Sequence, residues 1–156
     1  MSADAVKTIA TNRKAHHDYF IEDKFEAGLV LTGTEIKSIR AGHVNLRDSF
    51  AVVKEGEMWL MNTHIAPYDQ ATYTNHEPRR PRKLLMHRRE INRITGKLQE
   101  KGFTLVPLRL YLKNNRAKVE LGLARGKKQY DKRATLREKE TRREIDRVVA
   151  HHWKER

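Results

Sequence analysis

Positively charged side chains concentrate in three segments that also carry hydrogen-bonding or planar side chains. The segments run from Asn12 to His17, from Arg79 to Lys83 and from Lys127 to Arg133. Phosphates attract Lys and Arg, and unstacked bases pack against aromatic and other planar side chains, so this mixture is typical of an RNA-binding surface. For the last segment, an ordinary solvated and charged C-terminal helix is an equally simple interpretation.

The charge of the whole chain points in the same direction. The 156 residues include 33 Lys and Arg against 20 Asp and Glu, which gives a formal net charge of +13. Such an excess favours a polyanionic partner, either nucleic acid or an anionic membrane surface. No apolar run approaches the length of a membrane span, and the N-terminus lacks the apolar stretch of a signal peptide. We therefore expect a cytoplasmic protein that binds nucleic acid and no membrane.

The chain offers little for catalysis or metal binding. It contains no Cys, and its eight His form no His-Glu-x-x-His motif. The segment from Gly28 to Thr34 resembles a phosphate-binding loop only superficially, because the required Lys is missing. A basic ribonuclease that uses a His pair as acid and base is the enzymatic alternative. We expect no metal, no cofactor and no enzymatic activity.

Alternating apolar residues predict several of the elements that must position these segments. Tyr19–Ile21 and Phe25–Leu31 are predicted as two strands with a turn at Asp23-Lys24. Ser49–Lys54 and Glu57–Asn62 are predicted to form a hairpin, because Gly56 can adopt the positive φ of a tight turn.

A second long hairpin is predicted from Phe103 to Leu123, with its turn at Asn114-Asn115. Pro107 removes a hydrogen-bond donor from the first strand and so indicates an edge or a bulge. Together these patterns predict about six antiparallel strands in a small β-barrel with helices packed outside it.

Two helices are predicted beside this barrel. Thr34–Gly42 fits a short helix that Thr32 or Thr34 caps, with Gly42 in the left-handed position after its end. The apolar residues from Leu84 to Leu98 fit helical spacing, and Gly102 ends that helix. Its basic face is most simply the solvated side of an amphipathic helix. The basic loop 69–82 that precedes it is long enough to be functional.

Six segments of the chain resemble the small protein B, or SsrA-binding protein, family, and the resemblance runs from about Asn12 to the end of the chain. They are Asn12–Ala15, Phe25–Leu29, Gly33–Gly42, Asn45–Ser49, Arg82–Leu85 and Gly126–Arg133.

The resemblance implies a bacterial, cytoplasmic and non-enzymatic protein with an oligonucleotide-binding-type β-barrel, flanking helices and a basic C-terminal tail. It implies binding to the tRNA-like domain of transfer-messenger RNA, and delivery of that RNA with elongation factor Tu to stalled ribosomes for trans-translation. It further implies that the tail enters the vacant decoding centre and messenger channel of the small subunit. The expected divisions are a flexible N-terminus at 1–11, an RNA-binding barrel at 12–126 and a tail at 127–156 that is disordered when free and helical on the ribosome.

The expected site residues come from two sources. The resemblance places Asn12, Glu26 and Leu85 on the RNA-binding surface and puts Tyr130 in the decoding centre, followed by Asp131, Lys132 and Arg133. The charged segments add Arg13, Lys14, His16, Arg79, Arg80, Arg82, Lys83, Lys127 and Lys128 as RNA-binding residues. For Glu26, a simple salt bridge within the protein is the other interpretation. The rival functions are a general RNA-binding barrel that recognises RNA by charge alone, and the basic ribonuclease.

Overall fold

The computed structural model describes residues 5–69 and 75–126, in which antiparallel strands dominate and three helices flank them. This confirms the predicted mainly β fold, although the described part contains nine strands where about six were expected. The elements are β1 Val6–Thr11, α1 Arg13–Asp18, β2 Tyr19–Leu29, α2 Gly33–Arg40, β3 Val44–Asn45, β4 Phe50–Lys54, β5 Glu57–Met61, β6 His64–Ile65, β7 Arg82–Leu85, α3 Arg88–Leu98, β8 Phe103–Lys113 and β9 Arg116–Gly126.

The larger sheet closes on itself. Its order is β1-β8-β4-β5-β7-β2-β9, and β9 pairs back with β8, so six strands form a ring and β1 extends the sheet beside β8. Strands β4 and β8 meet at a single register pair, Ala51 and Leu105, and the ring is therefore less regular than a closed barrel. The core fills its interior with residues such as Met58, Leu60 and Leu121, each fully buried.

Both long hairpins turn where the sequence predicts. Glu55 and Gly56 have φ values of 53° and 75°, and Asn114 and Asn115 have 52° and 65°. Two consecutive left-handed residues make the tight turn that matches the twist of the flanking strands. These short turns fix the register of β4 against β5 and of β8 against β9.

Register shifts mark bulges in β1, β2 and β8, and the latter two bear on the predictions. The expected turn at Asp23-Lys24 is wrong, because β2 runs unbroken from Tyr19 to Leu29 and absorbs one extra residue between Ile21 and Asp23. The bulge expected at Pro107 is confirmed by the register shift of β8 against β9 between Pro107 and Arg109. In each case the strand continues on both sides of the irregularity, which changes its direction without ending it.

Two further expectations are corrected. Leu84 and Leu85 belong to β7 and not to α3, because β7 pairs with β5 and β2. Val6–Thr11, which was expected to belong to a flexible N-terminus, forms β1 along β8. The sequence of Leu84-Leu85 fits a helix or a strand, and that of Val6–Thr11 fits a strand or an irregular segment. In both cases, pairing with a neighbouring strand determines the conformation. Residues 1–4 lie outside the described part.

A buried ion cluster joins α2 to β7. Thr32 and Glu35 form a capping box at the start of α2. The Glu35 carboxylate, fully buried, accepts hydrogen bonds from Arg82 Nε at 2.5 Å and from Arg80 Nη2 at 2.6 Å. Arg82 is also fully buried and donates to the carbonyl oxygens of Thr63 and Pro78 at 2.7 and 3.0 Å. Every charged group of this cluster thus has a partner, which a buried charge requires.

We expect Arg82→Met to lower the free energy of unfolding by about 3–5 kcal/mol, because it leaves Glu35 buried with half of its cationic partners. Urea unfolding followed by circular dichroism measures this. Arg80→Met is the matched control and should cost less, since the Arg80 side chain is 31% exposed. An Arg82→Met protein as stable as the unmodified chain would contradict the role of the cluster.

Candidate RNA-binding surface

One outward-facing row of residues crosses four strands of the ring. In register across the sheet lie Leu85 on β7, Gly28 on β2, Lys118 on β9 and Tyr111 on β8. Alternate residues of a strand face the same side, so Glu26 shares this outer face with Gly28. We call these five residues the RNA face. Glu26 and Leu85, which the sequence analysis placed on one surface, therefore lie on neighbouring strands.

Glu26 is held in place by two donors. The Tyr111 hydroxyl donates to Glu26 Oε2, and Lys113 Nζ lies 3.4 Å from both carboxylate oxygens. The Tyr111 hydrogen bond, together with the positive charges of Lys113 and Lys118, lowers the pKa of Glu26 although burial works against this. The Glu26 side chain is 41% exposed. Glu26 is thus both an internal ion-pair partner and an ionised acceptor that solvent can reach.

Tyr111 links Glu26 to a second charged pair. Its ring is 3% exposed, and burial followed by the hydrogen bond to Glu26 raises its pKa. The hydroxyl therefore stays protonated and serves as a donor. Arg109 lies over the ring at 4.2 Å from its centroid, and Arg109 Nε is 3.5 Å from Glu120 Oε2. The network orients the Glu26 carboxylate on one side of the row.

Gly28 lies in the middle of the row and is closely bordered by two side chains. A Cβ atom at this position would lie 3.3 Å from Leu85 Cβ and 3.7 Å from Lys118 Nζ. Leu85 is 53% exposed, the highest fraction among the large apolar residues that the structure describes. Gly28 thus has an apolar side chain on one side and an ammonium group on the other.

Sequence reasoning missed three members of the RNA face, Gly28, Tyr111 and Lys118, as well as Lys113, which contacts Glu26. A two-residue turn at Asn114-Asn115 puts Lys113 opposite Arg116 and hence Tyr111 opposite Lys118. The positions of Tyr111, Lys113 and Lys118 on one face therefore follow from the predicted hairpin. The position of Gly28 depends on the pairing of β2 with β7, which no local pattern specifies.

A second group of charged residues surrounds Asp48. Lys14 Nζ lies 2.7 Å from Asp48 Oδ1, and this bond, with the charges of Arg47 and Arg79 as lesser causes, lowers the pKa of Asp48. Arg79 donates to Asn62 Oδ1 at 3.0 Å, and Asn62 donates to the Asp48 carbonyl oxygen at 3.0 Å. The fold thus brings together Lys14 and Arg79, which come from different charged segments. Arg13 and His16 are exposed on α1 nearby in the chain.

Burial contradicts the prediction that Asn12 and Arg82 contact RNA. Asn12 is 4% exposed, caps α1 through the Ala15 N–H at 3.1 Å, and donates to Leu46 and Pro107 carbonyl oxygens. Arg82 is fully buried with Glu35. Both side chains therefore support the fold. Arg80 is partly exposed, but it forms two hydrogen bonds with Glu35.

Comparison with known proteins identifies the family. The family model described as SmpB protein matches residues 9–151. The chain belongs to this family. It is 62% identical over 148 residues to the SsrA-binding protein of Geobacillus kaustophilus, covering 95% of this chain and 96% of the relative. It is 63% identical over 144 residues to that of Roseiflexus castenholzii, covering 92% of this chain and 91% of the relative.

A solved structure extends the likeness to three dimensions. This SmpB-family chain is similar to a chain in a structure described as "tmRNA-SmpB: a journey to the center of the bacterial ribosome", with a TM-score of 0.65 and 52% sequence identity. The match covers 75% of this chain and 82% of the other. An oligonucleotide-binding-like fold with flanking helices is thereby shown.

Several predicted features of this SmpB-family protein lie outside the described residues. They are Lys127, Lys128, Tyr130, Asp131, Lys132, Arg133 and the conformation of the whole tail 127–156. Among the described helices, none combines the length and apolar character that a bilayer crossing requires. Within residues 5–69 and 75–126, no group of three or more His, Asp or Glu side chains is arranged to hold a metal ion.

We expect Tyr111→Phe to raise the pKa of Glu26 towards its ordinary value of 4.5, because it removes the largest stabilising cause. A lowered pKa in the folded state stabilises the fold above the ordinary value, and this contribution disappears as pH falls through the lowered one. An NMR titration of the Glu26 carboxyl carbon measures the change. Lys113→Ala should move it less. An unchanged Glu26 pKa in Tyr111→Phe would contradict the assignment.

Proposed function

We propose that this SmpB-family protein binds the tRNA-like domain of transfer-messenger RNA and acts with it on the ribosome in trans-translation. The similar proteins are described as SsrA-binding proteins, and the similar solved structure concerns transfer-messenger RNA, SmpB and the bacterial ribosome. The observation that carries the proposal is the RNA face, where an exposed leucine pairs with a glycine and an oriented carboxylate lies two residues along the same strand as that glycine.

Each side chain of the RNA face has a distinct proposed role. Leu85 packs against an unstacked base or sugar that rests above Gly28. Lys118 attracts the adjacent phosphate and Glu26 accepts a hydrogen bond from a base amino group or a ribose hydroxyl. Tyr111 keeps the Glu26 carboxylate in place through its hydroxyl. The proposed role is binding without catalysis.

This arrangement favours selective binding over a barrel that recognises RNA by charge alone. A purely electrostatic surface gains nothing from a carboxylate, because Glu26 repels phosphates. Here Glu26 lies two residues from Gly28, which pairs with Leu85, the most exposed large apolar residue that the structure describes. A hydrogen-bond acceptor, an apolar side chain and a cation, here Glu26, Leu85 and Lys118, together discriminate between RNA segments by shape and hydrogen bonding.

The remaining parts of the proposal rest on the resemblance and on the charged segments. Lys14, Arg79, Lys127 and Lys128 contact RNA phosphates, and the tail 127–156 enters the ribosome with Tyr130 stacking in the decoding centre. Elongation factor Tu takes part in delivery, and the protein works in the cytoplasm where ribosomes are. The tail has eleven Lys and Arg against six Asp and Glu.

We expect Glu26→Ala and Leu85→Asp each to weaken binding to transfer-messenger RNA by about tenfold or more, because each removes a group that touches RNA directly. Gel mobility shift measures the affinity, and circular dichroism checks the fold. Phe20→Asp is the matched control, since Phe20 is also an exposed apolar residue, at 40%, and lies outside the RNA face. Full binding by folded Leu85→Asp protein would remove Leu85 from the site.

Ending the chain at Gly126 tests the role of the tail. The RNA face lies entirely before this residue, so we expect the truncated protein to bind transfer-messenger RNA nearly as well as the full chain. Peptide tagging on stalled ribosomes should be lost in a reconstituted translation assay. Tagging at the normal level by the truncated protein would contradict the proposed role of residues 127–156.

A further inference from the structure

A tryptophan lies on the outer face of the ring, opposite the core. In β5, the flanking residues Met58 and Leu60 are fully buried in the core, while Trp59 between them is only partly buried. Successive side chains of a strand point to opposite faces, so the indole of Trp59 faces outward. It contributes to neither of the two clusters that form the apolar core.

Trp59 belongs to a second row that crosses three strands. Val52 on β4 lies opposite Trp59, and Trp59 lies opposite Lys83 on β7. We call these three residues the outer stripe. In the neighbouring row, Phe50 pairs with Met61, and Phe50 is 40% exposed. The three helices pack mainly against other strands, α1 and α3 against β8 and α2 against β6. Among the described residues, these side chains place partly exposed apolar and aromatic surface on the outside of a highly charged protein, as interaction sites do.

The outer stripe is continuous with the RNA face. Lys83 and Leu85 are two residues apart on β7 and point to the same side, so the stripe begins where the RNA face ends. Lys83 Nζ forms an ion pair with Glu57 at 3.0 Å, and both side chains are about 40% exposed. A solvent-exposed pair contributes little to stability, so a phosphate can displace Glu57 at small cost.

We propose that the outer stripe is a stacking platform for a single-stranded segment of the bound RNA, with a base against the Trp59 indole and its phosphate at Lys83. Bases stack on aromatic side chains whatever their identity, and a neighbouring cation holds the backbone. The stripe thereby extends the site along β7 beyond Leu85. This inference rests on the proposed function, because its ligand is the same transfer-messenger RNA.

The fluorescence of Trp59 tests the inference directly. The chain has two Trp residues, so the full-length Trp153→Phe protein leaves Trp59 as the sole indole. A titration with a transfer-messenger RNA transcript should quench this emission along the same curve that gel mobility shift gives for binding. In that background, Trp59→Phe should bind within about twofold of the parent. Trp59→Leu, which keeps apolar area but cannot stack, should lose about five- to hundredfold in affinity.

The controls separate failure of this inference from failure of the proposed function. Phe20→Leu changes another exposed aromatic residue and should bind as the parent does. RNA that binds with unchanged Trp59 emission, and equally well to Trp59→Leu, overturns the stacking platform and leaves the proposed function standing. A parent protein that binds no transfer-messenger RNA overturns both. If Trp59→Leu keeps its RNA affinity but loses binding to ribosomes, the stripe contacts a ribosomal component and the inference is wrong.

Discussion

A buried carboxylate with two arginines is the interaction on which the site depends. Glu35 is fully buried, and burial acts to raise its pKa, yet the hydrogen bonds from Arg80, Thr32 and Arg82 outweigh this and lower it. Glu35 and Arg82 therefore stay ionised inside the protein, where an unpaired charge would be very unfavourable. Through Arg82 the cluster fixes the start of β7, and β7 carries both Lys83 and Leu85 to the outer face. The positions of Lys83 and Leu85 on the outer face thus depend on the buried charges of Glu35 and Arg82.

The sequence predicts those parts of the fold that depend on interactions between residues close together in the chain. The turns at Gly56 and at Asn114-Asn115 require left-handed backbone that few residues adopt, and the residues present allow it. Gly42, with φ of 83°, follows α2 for the same reason. The bulge at Pro107 follows from a missing donor. Each prediction needed only a few consecutive residues and no knowledge of their distant neighbours.

The parts that could not be predicted depend on partners far away in the chain. Arg79 and Arg82 are three positions apart and were assigned the same role from charge. One is exposed beside Asp48, while the other is buried with Glu35, which lies 47 residues away. Likewise, Leu84 and Leu85 fit a helix or a strand until β5 and β2 pair with them. Charge and periodicity suggest a role for a residue. Its actual surroundings depend on which distant parts of the chain pack against it.

Under the proposed function, the acidic member of the RNA face gives a basic protein selectivity. Many exposed cations attract any RNA, so attraction alone cannot distinguish one RNA from another. An ionised Glu26 repels each RNA that brings a phosphate to this point and favours one that brings a donor, which is selection by exclusion. This requires a carboxylate that stays charged and does not rotate away. Tyr111 and Lys113 meet both requirements, since they lower the pKa of Glu26 and hold its oxygens. In the proposed function, the two residues thus contribute to recognition without needing to touch RNA themselves.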